Sequence, residues 1–135
     1  MASIFTKIIQ GEIPCTEIDH TEKELAFLDI SPCWPGHTLV IPKREVIRFE
    51  DLTEAEVASL AVFLNRVAKA VSKAFDGIDY NITLNNGENA GQEVPYVHFH
   101  IIPRPEGKKV GFKTRYKYEG NEKEEVAQKI RNCIS

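Results

Sequence analysis

His98 and His100 are the residues of this chain best equipped for chemistry near neutral pH. They stand in an apolar, β-branched run, Val94-Pro95-Tyr96-Val97-His98-Phe99-His100-Ile101-Ile102-Pro103-Arg104. The chain has four histidines, so this pair holds half of its imidazoles within three residues. A strand turns alternate side chains to opposite faces, which sends both rings to one side and Val97, Phe99 and Ile101 to the other. Three readings of the pair stand open. The rings decorate a solvent-facing strand; or they chelate a metal, with His37 or Glu93 completing the set; or one is a nucleophile and the other a phosphate ligand or proton donor. Upstream lies Asn85-Asn86-Gly87-Glu88-Asn89-Ala90-Gly91-Gln92, a polar loop whose two glycines let backbone approach an anion closely. Pair and loop together point to phosphate chemistry.

The elements that must hold these groups follow from periodicity. Ile4 to Ile9 reads as a short helix ended by Gly11. Glu24 to Ile30 is strand-like and stops at Ser31-Pro32, and His37 to Ile41 is a second strand stopped by Pro42. Thr53 and Glu56 form a capping box for one long helix reaching about Phe75, with Val57, Leu60, Leu64, Val67 and Val71 on its apolar face. Asp79 to Leu84 is a third strand, followed by the glycine loop and the histidine strand. A charged tail then leads to a last helix, with Asn121 as its cap and Glu124 in the box position. The expected class is α+β, one domain over residues 1–135, with a mainly antiparallel sheet, one long central helix and short terminal helices.

Composition excludes several classes of partner. With 135 residues, a net charge of −3 and pI near 5.8, the chain has no basic field for nucleic acid. Lys108, Lys109, Lys113, Arg115 and Lys117 form the longest basic stretch; acids flank it, and it reads as a solvated loop before a binding patch, with a role near an anionic substrate left open. No apolar run is long enough to span a bilayer, and no signal peptide is evident. Cys15, Cys33 and Cys133 are odd in number and scattered, as expected of free thiols in a reducing cytoplasm. Cys33 reads as an inert thiol and Trp34 as loop packing. His20, in Ile18-Asp19-His20-Thr21-Glu22, reads as a surface residue in a polar turn. Asp29 interrupts an apolar strand and either faces solvent or accepts hydrogen bonds from a ligand hydroxyl; strand alternation favours solvent.

Several blocks in order resemble the histidine-triad (HIT) superfamily, in its branch of Hint-like purine nucleoside phosphoramidases. They are Ile4 through Pro14, Leu25 through Ile30, Pro35-Gly36-His37-Thr38-Leu39-Val40-Ile41-Pro42-Lys43, Leu84-Asn85-Asn86-Gly87, Ala90-Gly91-Gln92 and His98 through Arg104. The resemblance implies that His98 is the nucleophile, attacking the α-phosphorus to give a nucleotidyl-histidine that water cleaves. It implies that His100 and His37 ligate phosphate oxygens and assist the leaving group. Asn85, Gly91, Gln92 and Glu93 would form the α-phosphate loop. Asp29 would receive the ribose hydroxyls, reversing the solvent reading, and Phe5, Ile8, Ile13, Phe27, Ile30 and Leu39 would enclose a purine base. It also implies a homodimer joined at sheet edges, with no cofactor. Dinucleoside polyphosphate hydrolysis is the alternative within the superfamily. A nucleotide-binding protein with weakened catalysis is another, because the first triad position is Tyr96.

Zinc-containing relatives in this resemblance carry ligands at positions that here read Ser3, Thr6, Glu45 and Tyr96. The structural zinc is therefore expected to be absent as a unit. The main-chain carbonyl of residue 96 survives the exchange of histidine for tyrosine.

Overall fold

The computed structural model describes residues 3–135. Eight regular elements run in the order α1 (Ile4–Ile9), β1 (Glu17–His20), β2 (Glu24–Leu28), β3 (Thr38–Pro42), α2 (Glu54–Ala74), β4 (Asp79–Leu84), β5 (Phe99–Arg104) and α3 (Glu122–Arg131). The strands form one antiparallel sheet in the order β1-β2-β3-β5-β4. Leu39 pairs with Phe27 on one side and His100 on the other, while Thr83 is opposite His100. Side chains directly opposite in a ladder share a face, so Phe27, Leu39, His100 and Thr83 line one side of the sheet. The alternation works on the other face too. Ala26, Leu28, Val40 and Ile101 pack there against Leu60, Phe63, Val67 and Val71 of α2 and Ile130 of α3. No helix among the described residues is long and apolar enough to cross a membrane.

α2 forms where its sequence says it should. The Thr53 hydroxyl accepts the Glu56 N–H, and the Glu56 carboxylate accepts the Thr53 N–H. At α3 the expected cap is absent: the Asn121 side chain makes no capping bond. The Glu122 carboxylate accepts the Glu119 N–H and the Tyr116 hydroxyl instead, and Glu124 pairs with Arg131. The segment read as a polar turn around His20 is β1. His20 ends that strand and is exposed, bonded to Glu17 at 2.8 Å. Glu24 is the unexpected charge in the core. It is 4 % exposed, and its carboxylate accepts hydroxyl bonds from Thr21 and Ser59, which satisfies a group that could not be buried bare.

Two loops carry the site. Gly36, at φ +94, turns the chain into β3; a Cβ there would meet the Phe75 ring at 2.8 Å. The Gly36 N–H donates to the Tyr118 hydroxyl, and the Tyr116 N–H donates to the Pro32 carbonyl. Trp34 packs edge-on against Tyr116, and the Lys108 ammonium sits over the Trp34 ring. These contacts strap the tail after β5 onto the loop before β3. The tail read as a solvated loop is thus held against the sheet.

Candidate active site

β5 begins at Phe99, so His98 stands one residue ahead of the ladder and His37 one residue ahead of β3. The His98 and His100 ring centroids are 4.9 Å apart, and those of His37 and His100 are 5.1 Å apart. The three imidazoles form a row, with the edge of Phe5 packed against His98 at 5.1 Å.

Backbone partners assign each ring its proton. His98 Nδ1 lies 2.7 Å from the Tyr96 carbonyl, which can only accept, so Nδ1 carries the hydrogen and Nε2 keeps a free lone pair. His37 Nδ1 accepts the Cys33 N–H at 3.0 Å, which leaves its proton on Nε2. That Nε2–H points to His100 Nδ1 at 2.9 Å, with Asp29 Oδ2 at 3.5 Å. His100 Nδ1 is then an acceptor, and its own hydrogen is on Nε2. The result is complementary: His98 offers an electron pair, and His100 offers an N–H donor.

Desolvation holds His37 down to about 4, with Arg115 and Arg104 pushing the same way and the Asp29 carboxylate opposing them. His100 is likewise lowered to about 4 by burial, then by the neighbouring His37 and His98. Both are neutral across the physiological range, as the tautomer chain requires. A stability effect follows from the linkage of protons to folding. Above the ordinary histidine value of 6.5, neither the folded nor the unfolded chain holds these protons, and pH has no leverage through them. Between 6.5 and about 4 the unfolded chain takes protons that the folded chain refuses, so stability falls as pH falls. We expect the thermal midpoint to drop across that window, with a shallower slope for His37→Asn. An equal slope in the two proteins would exclude His37 as a source.

The rings open into a cleft of about 710 Å³. Phe5, Ile8, Ile13, Phe27, Ile30 and Leu39 line it, as do Asp29, Asn85, Gly91 and Glu93. Gln92 does not. Its amide oxygen accepts the Gly87 N–H and its amide nitrogen donates to the Ile47 carbonyl, each at 2.8 Å, so it braces the glycine loop from behind. Gly87 and Gly91 both adopt positive φ, and Asn85 reaches the Gly91 carbonyl at 3.3 Å. The Asp29 carboxylate faces the cleft and His37 while accepting the Ser31 N–H at 2.8 Å.

The Cys33 main chain was not foreseen as part of the site. Cys33, read as an inert thiol, supplies the N–H that fixes the His37 tautomer. Phe112, Lys113 and Arg115 of the tail also line the cleft, so the basic stretch for which a role near an anionic substrate was open does reach the site. Asp29, His37 and His100 bring ligand atoms within 4.8 Å of one another. A metal there would have to displace the proton shared by the two imidazoles.

The positions that the resemblance assigns to zinc are filled differently. The Thr6 hydroxyl donates to the Glu45 carboxylate, Ser3 Oγ lies 3.3 Å from Thr6 Oγ1, and the buried Tyr96 hydroxyl donates to the Pro42 carbonyl at 2.6 Å. Hydroxyls and one carboxylate, without thiolate or imidazole, do not suit tetrahedral zinc.

A row of imidazoles between an apolar wall and a glycine loop, on an antiparallel α+β sheet, defines the class. The family model described as the HIT domain matches residues 10–107, and the chain belongs to the histidine-triad family. It is 43% identical over 105 residues to adenosine 5′-monophosphoramidase hnt1 of Schizosaccharomyces pombe, covering 78% of this chain and 76% of that one. It is 44% identical over 84 residues to the asymmetrical bis(5′-nucleosyl)-tetraphosphatase of the same yeast, covering 62% of this chain and 46% of that protein. Among solved structures, a zinc-bound histidine triad family protein from Mycobacterium smegmatis superposes with a TM-score of 0.88 at 34% identity, covering 99% of this chain and 94% of that one. The family thus includes proteins named as nucleotide hydrolases.

Proposed function

We propose that the chain hydrolyses purine nucleoside phosphoramidates or related nucleotidyl conjugates. The observation that carries this reading is the pair of opposed tautomers, with lone pair on His98 Nε2 and hydrogen on His100 Nε2. His98 Nε2 attacks the α-phosphorus and forms a P–N bond. The bond to the leaving group breaks as the His100 Nε2–H hydrogen-bonds that group, which takes its proton from solvent water. The His98 ring becomes an imidazolium, and its Nδ1–H remains bonded to the Tyr96 carbonyl, which stabilises the developing charge. Water then attacks phosphorus and gives up a proton to solvent, and the P–N bond breaks to release the nucleotide and restore His98.

The purine lies against Phe5, Ile8, Ile13, Phe27, Ile30 and Leu39, and the ribose hydroxyls donate to Asp29. The glycine loop, with Asn85, Gly91 and Glu93, faces the phosphate oxygens, while Gln92 acts by holding that loop. Tyr96 does not weaken this scheme, because its contribution to His98 is made by the main chain. The chain acts as a homodimer paired through β4, one of the two sheet edges, where Tyr80 and Ile82 are exposed. Free thiols at Cys15, Cys33 and Cys133 suit a cytoplasmic setting.

The test is release of AMP from adenosine 5′-phosphoramidate by the purified, chelator-treated protein. Sustained turnover is expected. Tight AMP binding without turnover would instead support a nucleotide-binding protein.

A further inference from the structure

We propose that Lys113 and Arg115 form a subsite for a second phosphate of the nucleotide ligand, beside the reaction centre. The proposal rests on the reading of the cleft as a nucleotide site and adds to it.

Charge balance is the first observation. The chain carries a net charge of −3, yet this end of the cleft collects cations. Lys113 and Arg115 both line the cleft, and Arg104 follows His100 and Ile102 on the same face of β5. Among the described residues, none of the three lies within ion-pair distance of a carboxylate, whereas Arg44, Arg48 and Arg131 all do.

The second observation is that the two arginines are held in place. Arg115 Nη1 donates to the Phe112 carbonyl at 2.8 Å and the Thr114 carbonyl at 2.9 Å. Arg104 Nε donates to Asn81 at 2.6 Å, its guanidinium sits 5.1 Å from the Phe112 ring centroid, and its Nη1 is buried without a partner. A guanidinium fixed by backbone acceptors has lost much of its entropy already, so an anion that meets it loses less on binding.

The third observation is position. Arg115 Nη1 is 3.9 Å from the Cys33 sulfur, and the Cys33 N–H caps His37. The contacts therefore run in order: Phe5, His98, His100, His37, Cys33, Arg115. Apolar wall and guanidinium stand at opposite ends of the imidazole row. The positive charge is felt within the row, since Arg115 and Arg104 both help keep His37 neutral. A ligand phosphate beyond the α-phosphorus meets this charge at one of two places, the leaving group or the ribose.

Equilibrium titrations of the full-length protein with AMP, ADP and adenosine 3′,5′-bisphosphate separate them. One bisphosphorylated ligand should bind about tenfold tighter than AMP, matching a charge-assisted contact of roughly 1.4 kcal/mol. Preference for ADP places the second phosphate on the leaving-group side, and preference for the 3′,5′-bisphosphate places it on the ribose side. The ratio to AMP should collapse toward one in Lys113→Glu and Arg115→Ala and persist in part in Arg115→Lys, which keeps the charge. Equal affinity for all three ligands overturns the subsite while leaving the nucleotide site intact. Parallel loss of affinity for all three in the variants also overturns it. No binding of any of them overturns both readings.

Discussion

His98→Asn should abolish AMP release, by at least about 10⁴-fold, as loss of a covalent nucleophile does when water alone cannot replace it. The asparagine amide can still donate to the Tyr96 carbonyl, so the local hydrogen bond that now orients His98 survives. The amide has no lone pair able to attack phosphorus. The walls of the cleft come from α1, β2 and β3, and AMP affinity should change by less than tenfold. Intact-mass analysis of rapidly quenched reactions should show an added nucleotidyl group in the natural protein and none in the variant. Turnover above one part in a hundred in His98→Asn would remove His98 as nucleophile. Joint loss of folding and binding would make its role structural.

Tyr96→Ala should cost about 3–5 kcal/mol of stability, the range for emptying a large aromatic site. Tyr96 is fully buried and packs edge-on against Phe5 at 5.7 Å, so its loss removes support from the ring that braces His98. Urea unfolding should report the loss directly. Tyr96→Phe separates packing from polarity. It keeps the ring but leaves the buried Pro42 carbonyl without its donor, at about 1–3 kcal/mol. Its turnover should stay within a few-fold of the natural protein, because the main-chain carbonyl of residue 96 is what His98 uses. A large fall in turnover for Tyr96→Phe, with the fold intact, would assign the hydroxyl a part in the chemistry.

Much of this arrangement is legible in the sequence. α2 is announced by Thr53, Glu56 and an apolar stripe, β3 and β5 by β-branched runs that meet prolines, and β2 by an apolar run ahead of Ser31-Pro32. β1 is not, because it has four residues, one of them buried, and its register shifts between Glu17 and Asp19. Period-two alternation cannot be read from so little. The His98–His100 pair is visible as a pair, but His37 is a single residue at a strand entrance, and only the resemblance singles it out. Its proton placement depends on the Cys33 N–H, a main-chain group about which side-chain identity says nothing. The tail misleads for a similar reason. Lys113 and Arg115 look solvated in one dimension; Trp34, Tyr116 and Tyr118 bring them to the cleft through contacts spanning about eighty positions. Gln92 is the converse case, a residue of suitable type whose amide is already committed.

α1 has six residues, fewer than a helix needs to persist alone in water. The Ser3 cap, the Phe5 side chain and the bond from Thr6 to Glu45 keep it seated. It supplies one wall of the cleft, whereas the facing wall is woven into the sheet. The two walls therefore come apart at very different free energies. Substitutions at Ser3, Thr6 or Phe5 are therefore expected to loosen this wall while the ladder of β2 and β3 stays intact, which hydrogen exchange at the amides of α1 would report.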